Sequence, residues 1–282
     1  MKNKNKFFFF FLFIVFSVQF AANAQIAMRL NLRRVKYILY ENIYATLQIR
    51  NLSANPLVFG QSKGLSGKLD FVITDGSEHK IKMRKINPDF LSGTIIKGGE
   101  TIEITLSLSE FYKINEESRY TAKAVIEHSQ LPNSYQSNTV NFAVVSGRTV
   151  WSTVVGTPTV DPMSAKQKIE KRKYEIKSYY DGKNIVYCLV VSDDNYVYGV
   201  VQIGIDTGIK KPECIIDNYS RLHILIQDSS NTYTYYVYDT HCNLDDTEIY
   251  KKTKTIPTLV LDKKTGSIEV VGGQKFIKGL DR

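Results

Sequence analysis

The sequence predicts an all-β chain. Three observations carry this. Apolar runs of strand length recur along it, bounded by Gly, Pro, Asn and Asp clusters. Several runs alternate apolar and polar residues with a period of two. Tyr and Val, which suit a pleated half-buried surface, crowd the second half: 12 of the 18 Tyr follow residue 172.

Residues 1–24 read as a secretory leader. Lys2, Lys4 and Lys6 make a positive start, Phe7 to Phe16 is continuously apolar, and Ala22-Asn23-Ala24 is a small-x-small cleavage site. The apolar segment to Ala22 is about 16 residues, short of the ~20 that span a bilayer. Export to the periplasm or beyond, cleavage before Gln25 and no transmembrane span are therefore expected. The formal charge of +9 falls to +6 without the leader, with +5 over 25–150 and +1 over 151–282. Interspersed acids make this an argument for solubility and against a nucleic-acid partner.

The mature chain is expected to hold two domains, 25–148 and 173–282, joined by a linker over 149–172. In the first, Ile26–Arg34 and Val35–Tyr40 open the strand series. Ile43, Ala45, Leu47 and Ile49 then share one face of a half-buried strand. Leu69–Thr74 and Lys80–Ile86 flank Asp75-Gly76, a hairpin signal. Ile102–Leu108, Tyr120–Glu127 and Thr139–Val145 complete the series. Lys80, Lys82 and Arg84 share one strand face. That face reads either as a solvated, edge-protecting row or as a basic ladder for an anionic polymer.

Three segments resemble bacterial Ig-like or fibronectin-III-like sandwiches. They are Ala45–Asn55, Gly98-Gly99-Glu100 ahead of Thr101–Leu108, and Leu108–Ile114 followed by Arg119-Tyr120-Thr121-Ala122. The last implies that Tyr120 opens the penultimate strand and that its hydroxyl ties down the corner before it. Similar sandwiches precede the catalytic domains of some secreted metallopeptidases, but no His-Glu-x-x-His occurs here.

Over 149–165, Gly156, Pro158 and Pro162 read as linker, with Trp151 as an anchor in an interdomain seam. Ser164–Lys173 carries five cations and reads as a short solvated helical turn. Beyond it, Lys173–Tyr180, Asp181-Gly182 and Ile185–Ser192 form a hairpin. Ile185–Val201 and Leu222–Tyr238 then repeat one pattern: apolar run, polar turn, Tyr/Val-rich run. Thr258–Val271 is a weaker third copy. A repeated antiparallel unit of this length resembles propeller blades. Leu222-His223-Ile224-Leu225 after Asp217-Asn218 is similar to the start of sialidase-like repeats, without their Asp-box turn. Fewer than the four blades of a propeller fit, so a partial, propeller-like meander is expected.

Tyr196 and Tyr198 share a face, as do Tyr233 and Tyr235, with Tyr236 on the opposite side. Exposed, such rows stack on sugar rings; covered, they are sheet filling. Cys188 sits in an apolar run and reads as buried. A bridge, if formed, joins Cys214 and Cys242, which flank turns. The acidic turns 193–195, 239 and 243–246 offer oxygen ligands without EF-hand spacing, and Asp and Asn are also the ordinary turn residues. His223 reads as structural. No nucleophile elbow, P-loop or dinucleotide fingerprint occurs, so no catalytic residue, metal or cofactor is assigned.

The expected function is that of an exported, non-catalytic binding protein with an envelope protein or glycan as partner. An envelope β-assembly built by self-association, and a carbohydrate-active enzyme, are the alternatives.

Overall fold

The computed structural model describes residues 25–84, 89–160 and 167–276. The leader lies outside them, as does Ser164. Strands dominate, in several sheets of which none closes on itself. The sole helix among the described residues is a four-residue turn, α1 (Leu108–Phe111). None is long and apolar enough to cross a membrane.

The first half supplies β1 (Ile26–Leu32), β2 (Lys36–Ile38), β3 (Tyr44–Asn51), β4 (Leu57–Val58), β5 (Gly67–Asp75), β6 (Ile95–Ile96), β7 (Thr101–Ser107), β8 (Ser118–His128), β9 (Tyr135–Gln136) and β10 (Val140–Val145). One sheet is ordered β1-β3-β7. The other runs β2-β10-β8-β5, with β9 beside β8, while β4 and β6 form a short ribbon. β2 joins β10 in parallel, unlike its antiparallel neighbours. The period-two faces meet between the sheets: Ile43, Ala45, Leu47 and Ile49 are each at most 1% exposed and pack with Leu69, Phe71, Ala124 and Phe142. Each of the larger side chains among them contributes about 1.5–3 kcal/mol.

The segment from Lys80 departs from a regular strand. Its described part joins its neighbours through isolated bridges, Thr74–Lys80 and Met83–Tyr112. Ile81 N–H reaches Ile73 O at 2.8 Å, and Arg84 N–H then reaches Phe111 O at 2.7 Å. The chain thus leaves β5 for α1 midway. The alternation survives: Ile81 and Met83 pack on the core while Lys80, Lys82 and Arg84 are exposed.

The second half holds β11 (Arg148–Val160), β12 (Gln167–Tyr180), β13 (Ile185–Ser192), β14 (Val197–Ile205), β15 (Glu213–Ile216), β16 (Leu222–Gln227), β17 (Thr232–Tyr238), β18 (Leu244–Lys251), β19 (Thr258–Leu261), β20 (Ile268–Val271) and β21 (Gln274–Lys275). They form an antiparallel sheet β11-β12-β13-β14, a second sheet β15-β16-β17-β18-β21, and the hairpin β19-β20. The two larger sheets face each other across Tyr174, Ile176, Leu189, Ile224, Ile226 and Tyr238. The hairpin covers the far side of the second sheet through Leu259 and Ile268. The near side of the first sheet meets the sandwich through Tyr179, Val186 and Cys188 against Ile38. This stacking explains why β13 and β16 are buried almost throughout: both of their faces are covered.

The linker expected over 149–172 is instead mostly strand, its described residues pairing as β11 and β12. Pro158 misleads as a breaker. β11 is an edge strand, where a missing N–H is tolerated. The expected helical turn is likewise strand from Gln167, and Arg172 within the cation run is only 3% exposed. Trp151 packs on the core between the two larger sheets, away from the seam with the sandwich.

Candidate binding cleft between the two halves

The site starts from the turn after β2. Glu41 N–H reaches back to Ile38 O at 3.1 Å, and Tyr40 adopts φ 67°. That left-handed conformation costs a non-glycine residue about 1–2 kcal/mol. It turns Glu41 inward, 7% exposed, and leaves the Tyr40 ring 49% exposed. The Glu41 carboxylate pairs with the Arg34 guanidinium and accepts hydrogen bonds from Ile38 N–H at 3.1 Å and Tyr179 OH at 3.2 Å. Arg34 also donates to Tyr179 Oη at 2.6 Å and Gln202 Oε1 at 3.1 Å. Burial alone would lower the Arg34 pKa; the facing Glu41 carboxylate more than offsets it, and the net shift is upward. Burial, then Glu41, push the Tyr179 hydroxyl up, so it stays protonated and donates. Residues of β2's flanks, β12 and β14 are thereby clamped together.

Beside this clamp opens a cleft of about 430 Å³, within the range of ligand pockets. Tyr40, Asn42 and Arg84 come from the first half; Asn195, Tyr196 and Tyr198 come from the β13–β14 turn and β14. Tyr196 is 70% exposed. Arg84 Nε donates to Tyr112 O at 3.0 Å; among the described residues its Nη groups have no partner. The Asn42 and Asn195 side-chain amides are likewise unpaired and exposed. Among the described residues no carboxylate lines the cleft. A larger, more open trough of about 890 Å³ lies on the outer face of the β5-bearing sheet, around Val35, Thr74 and Ala143. It draws on the sandwich side alone and has no exposed aromatic pair.

Tyr198 forms the cleft's back wall and is held from three sides. Its hydroxyl donates to Asp193, the Arg172 guanidinium lies 3.9 Å from its ring centroid, and the His241 ring meets it edge-on at 5.5 Å. Arg172 donates further to Thr240 O at 3.2 Å and Glu170 Oε2 at 3.1 Å. Its hydrogen-bonded Tyr198, then backbone N–H groups of the turn, hold the Asp193 carboxyl below its ordinary pKa. Gly199 is needed here: a Cβ would lie 2.5 Å from Cys242 Cβ.

Of the residues singled out from sequence, Tyr196, Tyr198 and Arg84 converge on the cleft. Lys80 and Lys82 lie outside its lining, on the exposed row that leads to Arg84. The Tyr233/Tyr235/Tyr236 row is not an exposed platform. Tyr233 and Tyr235 are 3% and 7% exposed beneath the β19-β20 hairpin, and Tyr236 is half-buried between the two larger sheets. Tyr40 and Asn42 were missed, because nothing local to a Tyr-Glu-Asn turn says that it will face a second turn far along the chain.

His223 lies 4% exposed between Asp217 and Tyr235. Its Nε2 stands 3.1 Å from Asp217 Oδ2 and its Nδ1 2.6 Å from Tyr235 Oη. Asp217 also accepts Arg221 Nε–H at 2.8 Å and two turn N–H groups. Burial lowers the His223 pKa below 6.5, and Asp217 only partly opposes it. The unfolded chain therefore takes up this proton before the folded one does, and stability falls as pH drops below about 6.5. Urea unfolding at pH about 7 and about 5.5 should show a larger loss for the wild type than for His223→Gln. Equal losses would contradict a neutral, satisfied imidazole.

The three cysteines are free thiols, so the bridge considered for Cys214 and Cys242 is not formed. Burial raises the pKa of both to about 12. Among the described residues no cluster of His, Cys, Asp or Glu is arranged to hold a metal ion. The acidic turns cap backbone instead: Asp193 Oδ1 accepts Asn195 and Tyr196 N–H, and Asp239 Oδ1 accepts His241 and Asn243 N–H. The chain matches no model of a known protein family and no curated protein.

Proposed function

We propose that the protein is an exported, non-catalytic binding protein that takes a polar ligand in the cleft between its two halves. The carrying observation is the pair of exposed rings, Tyr40 and Tyr196, set on opposite halves around unpaired amides and a guanidinium. Rings with a polar tip, joined by free hydrogen-bonding groups, suit a wet, polyhydroxylated ligand. A lining without carboxylates favours binding over glycoside hydrolysis, which uses two.

Export rests on the leader pattern of residues 1–24. The first half we read as an Ig-like sandwich. The parallel β2–β10 pair and the Tyr120 hydroxyl, which donates to Glu116 O at 2.8 Å, support that reading. The second half we read as propeller-like blades, supported by the repeated meander and its face-to-face stacking.

The test is a panel of envelope glycans presented to mature Gln25–Arg282 and to a Tyr40→Gly/Tyr196→Ala variant. Glycine relieves the left-handed strain while removing the ring. The variant should lose about tenfold in affinity, from two ring contacts of ~0.7 kcal/mol each, at a melting temperature no lower than that of the wild type. Equal affinity would refute the cleft as the site. The alternative of an envelope β-assembly draws on the outer face of the β19-β20 hairpin, where Val260 and Val271 are exposed. It requires an oligomer that grows with concentration in sedimentation.

A further inference from the structure

We infer that the ligand of this cleft is an acidic polysaccharide, held by its rings between the tyrosines and by its charges along a row of cations. The inference rests on the cleft reading above and adds the ligand's class. Its independent support is the ground leading to the cleft. Lys80, Lys82 and Arg84 project outward from alternate positions of one extended segment, and exposed Lys113 lies alongside, its N–H bonded to Lys82 O at 3.0 Å. At an extended rise of ~3.3 Å per residue, the row from Lys80 to Arg84 is about 13 Å long.

Among the described residues none of these four cations has an ion-pair partner. Two carboxylates stand at the head of the row: Asp75 accepts Ser77 and His79 N–H at 2.8 and 2.9 Å, and exposed Glu78 makes no ion pair with Lys80 among the described residues. Some surface cations elsewhere are paired, as Lys68 with Asp70 and Lys173 with Glu175, whereas others, such as Lys63 and Lys252, have no ion pair among the described residues; what sets this row apart is its alternate spacing and its end at the cleft. The row ends on Arg84, which lines the cleft; among the described residues its Nη groups have no partner and no negative side chain lines the cleft. A planar guanidinium recognises carboxylate in a two-pronged fashion, which a neutral sugar does not offer. A bare polyanion would satisfy the cations but leave the two tyrosine rings and two amides without a role; a polymer of acidic sugars uses both.

The experiment is affinity electrophoresis of mature Gln25–Arg282 through gels containing polygalacturonate, dextran or single-stranded DNA. Salt is set at about 0.1 M and about 1 M, where charges are screened beyond ~10 and ~3 Å. Polygalacturonate should retard the protein at low salt and at least tenfold less at high salt; dextran should not retard it. Arg84→Glu should weaken retention about tenfold or more, the loss of a charge-assisted hydrogen bond. Lys80→Glu/Lys82→Glu should weaken it less, and Tyr196→Ala should weaken it with charge unchanged. Equal retention by dextran, or indifference to Arg84→Glu, overturns the acidic class; if Tyr196→Ala still weakens retention, the cleft itself stands. Indifference to Tyr196→Ala overturns the cleft as well. Equal retention by DNA reduces the row to unspecific attraction and overturns the inference.

Discussion

Arg34→Met should cost the protein about 3 kcal/mol of stability and should separate the unfolding of its two halves. The change leaves the Glu41 carboxylate buried, with Tyr179 and Ile38 as its remaining donors. Removing one partner of a buried pair typically costs ~3–5 kcal/mol, because the other charge stays uncompensated. Arg34 is a fifth exposed, which places the effect at the low end. The double variant Arg34→Met/Glu41→Leu should recover part of the loss, since the desolvation cost disappears with the second charge while the Ile38 N–H and the Tyr179 hydroxyl lose their acceptor. Urea unfolding followed by circular dichroism reads both. A loss under about 1 kcal/mol for Arg34→Met would mean that the clamp does not hold the halves together.

Tyr235→Ala should be larger still, about 3–5 kcal/mol, the usual cost of emptying a buried aromatic site. Its ring is covered by the β19-β20 hairpin and its hydroxyl meets His223. Tyr235→Phe isolates the second part; it leaves the imidazole without that partner and should cost about 1–3 kcal/mol. Tyr196→Ala should change stability by no more than ~0.5 kcal/mol, as exposed positions do. The contrast sorts the tyrosines: loss of stability marks core, loss of binding at full stability marks the site. A stable Tyr235→Ala would put the exposed-platform reading back in force.

That contrast also shows where the sequence stops being legible. Alternation placed Tyr233 and Tyr235 on one face of β17 and Tyr236 on the other, and the structure has them so. What alternation does not carry is the number of layers. A strand covered on one side and a strand covered on both sides share a period, and here the weakest repeat, Thr258–Val271, supplies the second cover. The all-β character was legible for the same reason that β11 was not. Period two is strong where apolar residues alternate, and it fades in Thr-Val-Val-Gly-Thr-Pro-Thr-Val, whose edge position excuses its Gly and Pro. Three residues of the cleft lining, Tyr196, Tyr198 and Arg84, stand out in the sequence as part of a tyrosine row and a cation row. Tyr40, Asn42 and the Arg34–Glu41–Tyr179 clamp do not, because each exists only through a contact distant in sequence.

The most direct test of the account is hydrogen–deuterium exchange of the full mature chain with and without an oligogalacturonate. Slowed exchange should appear in segments 39–43 and 194–200, one from each half, while the segment 232–238 stays unchanged. Protection confined to one half, or centred on 232–238, would contradict a binding site built between the two halves.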